Sequence, residues 1–396
     1  MINDKLSDRN FASSAPLREV FFTNYFYEIF LFFSPLVGIT VIIVSYTNMN
    51  YLPVSADSLQ MAAQILRSGG LVAFPTETVY GLGADAFNAG AVTKIFEVKN
   101  RPHFDPLIIH IASLDTLEKV ADFSALSGER RQKLFVLAEN LWPGPLSIVL
   151  PKNKRIPGIA TAGLDTAAIR FPDNEAARKL ISLSTGAVAA PSANPFGSLS
   201  PTRAEHVRDK LGGRVDLILD GGPTRIGLES TVIDITTGAD TSRRGEGLSG
   251  VKILRPGGTP KEAIEKLIGT VEDGSPVTDT SKGLVSPGQL KSHYAPHVPL
   301  AAFNIEDIEK IPYENECAFL FFDGSARDAW ISAQKPPKSA VIRVLSETGQ
   351  ILEAASRLFE ILHELDNSKI LRIFVQLAPQ EGLGNAINDR IFHASA

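Results

Sequence analysis

Pro75–His110 reads PTETVYGLGADAFNAGAVTKIFEVKNRPHFDPLIIH, and this stretch decides the fold. A short apolar run, Leu71 to Phe74, precedes it and predicts a buried strand. Asn88 is placed to cap a helix with its apolar face at Val92, Ile95, Phe96 and, less centrally, Val98. That helix ends at Lys99-Asn100-Arg101-Pro102, and Leu107 to Ile111 predicts the next strand. Strand, helix and strand in close succession indicate an α/β or α+β sheet domain. Lys99 and Arg101 cannot both be buried without anionic partners, and the most natural partner is a phosphate chain. The alternative is a solvated helix C-terminus, where cations are favourable in any case. On either reading neither residue is expected in the core.

The same pattern extends on both sides. Asp57 is placed to cap a helix running to Arg67, with Leu59, Ala62, Ala63 and Leu66 inward and Gly69-Gly70 as the stop. Downstream, a helix from Arg130 to Leu141 stops at Trp142-Pro143-Gly144-Pro145. Strands are predicted at Ser147 to Leu150, Ala167 to Phe171 and Ala187 to Ala190. A helix from Arg203 to Leu211 follows, then strands at Leu217 to Leu219, Thr231 to Ile235 and Lys252 to Leu254. The first domain is expected over 49–268 and a linker over 269–297, rich in Gly, Ser, Thr, Asp and Pro. Within the linker, His293-Tyr294-Ala295-Pro296 is more than a tether needs and reads as a lid. A second αβ domain is expected over 298–396. Its strands are Ala318 to Phe322, Val341 to Val344 and Leu371 to Leu377, and its helices Leu352 to Leu365 and Gly384 to His393.

Residues 1–48 do not fit this pattern. From Val20 to Tyr46 the chain is almost wholly apolar and aromatic, with Glu28 its only charge. Three readings compete: a membrane anchor, a signal peptide, and an extension outside the working protein with translation starting at Met49. The last is preferred, because domain-like sequence begins at Tyr51-Leu52-Pro53-Val54.

Composition narrows the function. Lys plus Arg total 39 against 44 Asp plus Glu, a net charge of −5 that is not the footprint of a general nucleic-acid binder. The single cysteine, Cys317, excludes an intramolecular disulfide framework and fits a reducing, cytoplasmic setting. No Cys/His cluster has zinc-ligand spacing, and Pro296 breaks up the His293/His297 pair. There is no Walker A motif, no GxGxxG after a strand, no nucleophile elbow and no cysteine nucleophile, so any nucleotide is held in another way.

The candidate site residues follow the strands. Thr76 and Thr78 place hydroxyls after a buried strand, where α/β sheets commonly bind ligands; the alternative is that they only satisfy turn amides. His110 ends an apolar strand, where a lone histidine is more often a satisfied core residue. Arg170 ends the strand that follows Thr161-Ala162-Gly163-Leu164-Asp165-Thr166 and suits either a ligand anion or an ion pair. In Ala190-Pro191-Ser192-Ala193-Asn194 small residues leave room for a flat ring while Ser192 and Asn194 offer donors and acceptors. Ser200-Pro201-Thr202 supplies hydroxyls at a helix start, for phosphate binding or for capping. Glu229-Ser230-Thr231 leads a further strand, and Arg255 closes the domain.

These elements together resemble the YrdC family, the threonylcarbamoyl-AMP synthases of tRNA modification. The likeness runs through the Lys99-Asn100-Arg101, Ser192-Ala193-Asn194, Glu229-Ser230-Thr231 and Leu254-Arg255-Pro256-Gly257 elements. His293-Tyr294-Ala295-Pro296 resembles the long, two-domain type. The resemblance implies a YrdC-like twisted mixed sheet with helices, followed by a smaller Rossmann-like α/β domain. It implies that L-threonine, bicarbonate or CO2 and ATP give threonylcarbamoyl-AMP and diphosphate, with Mg2+ assisting. The product is then handed to a tRNA threonylcarbamoyl-transferase complex acting at position 37. Carried onto this chain, Lys99 and Arg101 contact the ATP phosphates and are the catalytic pair. Thr76, His110, Arg170, Ala190 and Ser230 hold threonine. Asp105, Thr166, Ser192, Asn194, Ser200, Arg255 and His293 line the nucleotide, with His293 and Tyr294 as the lid. Two other classes compete: a tRNA- or ribosome-associated binding factor without turnover, and a carbamoyl-adenylate-forming enzyme of the hydrogenase-maturation kind.

Overall fold

The computed structural model describes residues 26–33, 40–47, 50–236, 248–274, 294–310, 316–334, 336, 340–366 and 368–395. The chain divides into two units, Met1–Asn50 and Tyr51–Ala396. In the first, strands β1 (Phe26–Phe33) and β2 (Thr40–Thr47) pair antiparallel with Phe26 opposite Thr47. Among the described residues no helix is long and apolar enough to cross a membrane.

The second unit begins with β3 (Tyr51–Pro53), α1 (Ala56–Arg67), β4 (Val72–Phe74) and β5 (Gly81–Asp85). Then come α2 (Ala89–Lys99), β6 (Ile108–Ile111), α3 (Leu117–Val120), α4 (Gly128–Leu141), β7 (Leu146–Pro151) and β8 (Thr166–Arg170). They are followed by α5 (Glu175–Leu183), β9 (Ala187–Ala189), α6 (Ala204–Leu211), β10 (Leu217–Asp220) and β11 (Thr231–Asp234). β12 (Leu248–Arg255), α7 (Lys261–Ile268) and β13 (Thr270–Asp273) complete a mixed 11-stranded sheet, ordered β13-β12-β11-β7-β8-β6-β9-β5-β4-β10-β3.

Most local expectations hold. Asn88 caps α2 by accepting from the Ala91 amide. The α1 cap is Ser55 rather than Asp57, because Ser55 and Ser58 reciprocate in a capping box. Strands β3, β5 and β13 and helices α3, α5 and α7 escaped the sequence reading. Helix α5 is capped by Asn174 and buries Ala177, Leu180 and Ile181. Strand β13 lies past the expected domain end at Ile268; of its residues only Val271 is buried, so little apolar signal marked it.

The register explains where chemistry can sit. Arg255 pairs with Val232, Val232 with Ser147, Ser147 with Arg170 and Arg170 with His110, forming one row across five neighbouring strands. Paired residues share a sheet face, and strand residues alternate faces. The opposite face therefore carries Ile109, Ile148, Ile169, Ile233 and Ile253, which pack in the main core under α2, α4, α6 and α7. On the row's own face, α1 and α5 cover the far end, where Val72, Phe74 and Val188 meet Leu59, Leu66 and Leu180.

The polar part of that face is roofed by the remainder of the chain. β14 (Leu300–Phe303), β15 (Cys317–Asp323), α8 (Gly324–Gln334), β16 (Val341–Ser346), α9 (Ile351–Asp366), β17 (Arg372–Gln376) and α10 (Gly384–Ala394) form a second domain. Its four strands are all parallel, ordered β14-β17-β15-β16. Strand β14 and helix α8 were not foreseen. One apolar cluster joins the domains: Leu199, Ile226, Leu228 and Tyr294 pack with Leu358, Phe359 and Leu362 of α9 and Ile387 and Ile391 of α10. Cys317 is buried, and as the single cysteine of the sequence it forms no intramolecular disulfide.

Two backbone segments beside the row touch at a glycine. A Cβ on Gly257 would stand 2.4 Å from the Glu229 oxygen and 2.5 Å from the Thr231 nitrogen. Gly257→Ala should therefore lower stability by about 1–3 kcal/mol, read as a fall in the urea midpoint at unchanged slope.

Candidate active site

A pocket lies over the polar row. Its lining includes Thr76, Thr78, Arg101, His110, Arg170, Ala190, Ser192, Glu229, Ser230, Arg255 and Tyr294. Ten of the residues singled out from sequence are thus brought together: Thr76, Thr78, Arg101, His110, Arg170, Ala190, Ser192, Ser230, Arg255 and Tyr294. The pocket volume is about 40 Å³, room for only a few waters. Arg255 also borders a larger cleft of about 490 Å³, lined further by Lys261, Asn385, Asp389 and His393.

The cations are not solvated. Lys99 is 1% exposed and Arg101 is 6% exposed, which overturns the expectation that neither belongs to the core. Lys99 Nζ donates to the Ser192 carbonyl at 2.7 Å and to the Asn194 carbonyl, with Asn194 Oδ1 at 3.5 Å. Burial holds its pKa well below the usual lysine value; the Arg101 charge adds to this and Asp105 opposes it. Lys99 does not line the pocket; its ammonium shapes the loop that does. Arg101 pairs with Asp105 at 2.9 Å and donates to the Asp105 and Pro106 carbonyls at 3.0 and 2.8 Å. The partner that buried cations demand is thus supplied by carbonyls and one carboxylate of the chain itself.

The remaining polar groups form linked pairs. Arg170 donates to Glu77 Oε1 at 2.6 Å, both side chains being buried. His110 Nδ1 donates to the Ile108 carbonyl at 3.2 Å, which leaves Nε2 as an acceptor. Burial, aided by the Arg170 charge, pushes the His110 pKa down to about 3. Thr76 Oγ1 donates to the Val79 carbonyl at 2.6 Å, lies 2.8 Å from Thr78 Oγ1 and accepts from the Thr78 amide, so it serves turn and pocket together. Ser230 Oγ lies 2.8 Å from Ser147 Oγ, and Arg255 Nη2 donates to the Ser230 carbonyl at 2.8 Å.

Glu229 was not singled out from sequence, yet it is a hub. It accepts from Ser200 Oγ and, at 2.7 Å, from Arg390 Nε of α10. Burial works against its charge, but Arg390 and then Arg255 outweigh that and hold its pKa below the usual carboxylate value. Tyr294 is 1% exposed and adopts a left-handed φ of 61°. Burial pushes its hydroxyl up to about 12, against the lowering effect of Arg390.

Other expected members stand off the pocket. Asn194 Nδ2 donates to the Ser198 carbonyl at 2.8 Å and organises the loop. Ser200 sits one bond behind Glu229 rather than capping α6, whose start has no side-chain cap. Asp105 backs Arg101. Thr166 lies at the opposite end of β8 from Arg170, roughly 13 Å along the strand, and does not line the pocket. His293 lies outside the described residues. Glu77, Glu229 and Arg390 are the members that sequence reasoning missed. The two glutamates stood inside the quoted motifs, whereas Arg390 carried no local signal.

Comparison with known proteins gives this site its context. A family model described as telomere recombination, the Sua5–YciO–YrdC family, matches residues 64–245. A second, described as the threonylcarbamoyl-AMP synthase C-terminal domain, matches residues 259–396. The chain belongs to this family, in its long two-domain form. The threonylcarbamoyl-AMP synthase of Pyrococcus abyssi is 40% identical, over 85% of this chain and 94% of its own. That of Bacillus subtilis is 38% identical, over 85% and 92%. The crystal structure of P. abyssi Sua5 complexed with L-threonine matches with a TM-score of 0.73 at 37% identity, covering 87% of this chain and 96% of that one.

Two measurements test the electrostatics. Lys99→Met removes the donor to two buried carbonyls and should lower stability by about 1–3 kcal/mol in urea unfolding. His110 and His363 both have folded-state pKa values of about 3, below the ordinary 6.5. The unfolded chain therefore takes up their protons first as the pH falls. Their contribution is complete above about pH 6.5 and declines as the pH falls toward 3. Urea midpoints should drop from pH 7 to pH 4, and His363→Gln should flatten that drop.

Proposed function

We propose that this chain is an L-threonylcarbamoyladenylate synthase, converting L-threonine, bicarbonate and ATP to L-threonylcarbamoyladenylate and diphosphate. The observation that carries the reading is the convergence of Thr76, His110, Arg170 and Ser230 with Arg101, Ser192 and Arg255 around one pocket. The first set suits an amino acid. Arg170 is the fork for its carboxylate, and neutral His110 and Ser230 suit its hydroxyl and amine. The second set suits a nucleotide, with Arg101 and Arg255 facing its phosphates. Bicarbonate loses hydroxide, which takes a proton and leaves as water, to give CO2. The deprotonated threonine amine bonds to the CO2 carbon and the nitrogen releases a proton, leaving the carbamate. The carbamate oxygen then attacks the α-phosphorus, and the bond to the leaving diphosphate breaks. With a pKa of about 3, His110 accepts a hydrogen bond here rather than acting as a general base near neutral pH.

Enclosure is part of the chemistry. A carbamate is short-lived in water, so the pocket must hold it in line and dry. Fixed guanidinium groups in such a pocket stabilise charge building on the phosphates. Buried cations in a pocket this small cannot follow a polynucleotide backbone, which argues against a tRNA-binding factor without turnover. Among the described residues, no group of three or more His, Cys, Asp or Glu could hold a metal ion. The pocket carboxylates Glu77 and Glu229 are already paired with arginines, as is Asp105 behind the wall. The described residues therefore do not fit a resident Mg2+, and no step here runs through one. The product would pass, in the cytoplasm, to a transferase complex that modifies position 37 of tRNA.

Diphosphate release from ATP should require both threonine and bicarbonate; equal release with threonine omitted rejects the reading. Arg170→Lys, which keeps the charge and loses the fork, should raise KM for threonine about tenfold and KM for ATP much less.

A further inference from the structure

Arg390 belongs to none of the motifs linked to the chemistry, and it sits in the last helix of the second domain. Its side chain is 0% exposed, and apart from an ion pair with Asp389 its contacts converge on the pocket wall. Nε donates to Glu229 Oε2 at 2.7 Å, and Nη2 donates to the Pro256 carbonyl at 3.0 Å. The guanidinium carbon lies 4.8 Å from the ring centre of Tyr294. Glu229 and Tyr294 line the pocket, and Pro256 follows Arg255, which also does. One planar fork thus grips three separate segments of the wall, all of them on the side of Ser200 and Arg255. A cation serving only to join two domains would need one counter-charge. Here one guanidinium ties a carboxylate, a backbone carbonyl and an aromatic ring together.

We propose that Arg390 is a positioning residue through which the C-terminal domain sets Glu229, the Arg255 loop and Tyr294 for nucleotide binding. The proposal rests on the synthase reading. Its structural consequence is that the nucleotide side of the pocket is complete only with the second domain docked. The threonine side, built on Arg170, Glu77 and His110, is held within the first domain.

The test uses the full chain carrying Arg390→Ala or Arg390→Lys, with two readouts. The first is hydrogen exchange at the Ala295 amide, which donates to the Gly197 carbonyl at 2.8 Å and reports the seating of Tyr294. The second is KM for ATP against KM for threonine in diphosphate release. Arg390→Ala should speed Ala295 exchange about tenfold and raise KM for ATP about tenfold, with KM for threonine within about twofold and Ile148 still protected. Arg390→Lys should fall between the two proteins. Should Arg390→Ala not fold, Arg390→Lys carries both readouts. Unchanged Ala295 exchange overturns the proposal, as does an unchanged KM for ATP, equal rises in both KM values, or a loss in kcat alone. Absence of diphosphate release in the wild type would instead reject the synthase reading, and the exchange readout would still decide the role of Arg390.

Discussion

Charge buried beneath a sheet is the constraint on which the rest of this structure depends. Lys99, Arg101, Arg170, Arg255 and Arg390 are each at most 6% exposed. Moving one such ion into a poorly polarisable interior costs several kcal/mol unless geometry returns it. The chain meets that cost with acceptors of its own. Glu77 serves Arg170, Asp105 serves Arg101, Glu229 serves Arg390, and backbone carbonyls serve Lys99 and Arg255. Each pair fixes the loop that supplies it, so the turn after β4, the loop after β9 and the lead into β11 are held by electrostatics as much as by packing.

The sheet makes such a site affordable. Alternation places Ile109, Ile148, Ile169 and Ile233 on one face and the Arg255–His110 row on the other, where Ile108, Val149, Ala168 and Val232 form a small apolar cluster beside the polar groups. A sheet normally buries a second face with apolar side chains or leaves it wet. Here part of the second face is polar, and next to it α9 and α10 of another domain share a hydrophobic cluster with Leu199, Ile226, Leu228 and Tyr294. The roof covers the pocket without filling it, and a carbamate intermediate needs such shelter from water.

What could be read from sequence follows from the range of each interaction. Strand alternation and caps such as Asn88 are local, and they were legible. Ser55 was misjudged against Asp57 because both are good caps, and only the reciprocal bond to Ser58 separates them. The cations at Lys99 and Arg101 were legible as a pair in need of partners. That Lys99 would spend its protons on carbonyls 93 and 95 residues away was not, because backbone acceptors leave no trace in side-chain identity. Thr166 shares a strand with Arg170, but distance along that strand separates it from the pocket. Glu77 and Glu229 were in view and passed over, since a carboxylate beside hydroxyls reads as solvated until its guanidinium is known. Arg390, 161 residues from Glu229, could be found only in three dimensions.

This distribution of partners bears on how the pocket can work. An arginine already satisfied by a carboxylate is a poorer clamp for an incoming phosphate than a free one, yet it is held in place before the substrate arrives. Fixed donors need no reorganisation as charge builds, and that is where electrostatic catalysis gains most. Arg170, Arg255, Arg390 and Glu229 form such a fixed frame, and the Tyr294 segment is tied to it by the Arg390 guanidinium over its ring and by the Ala295 amide donating to the Gly197 carbonyl.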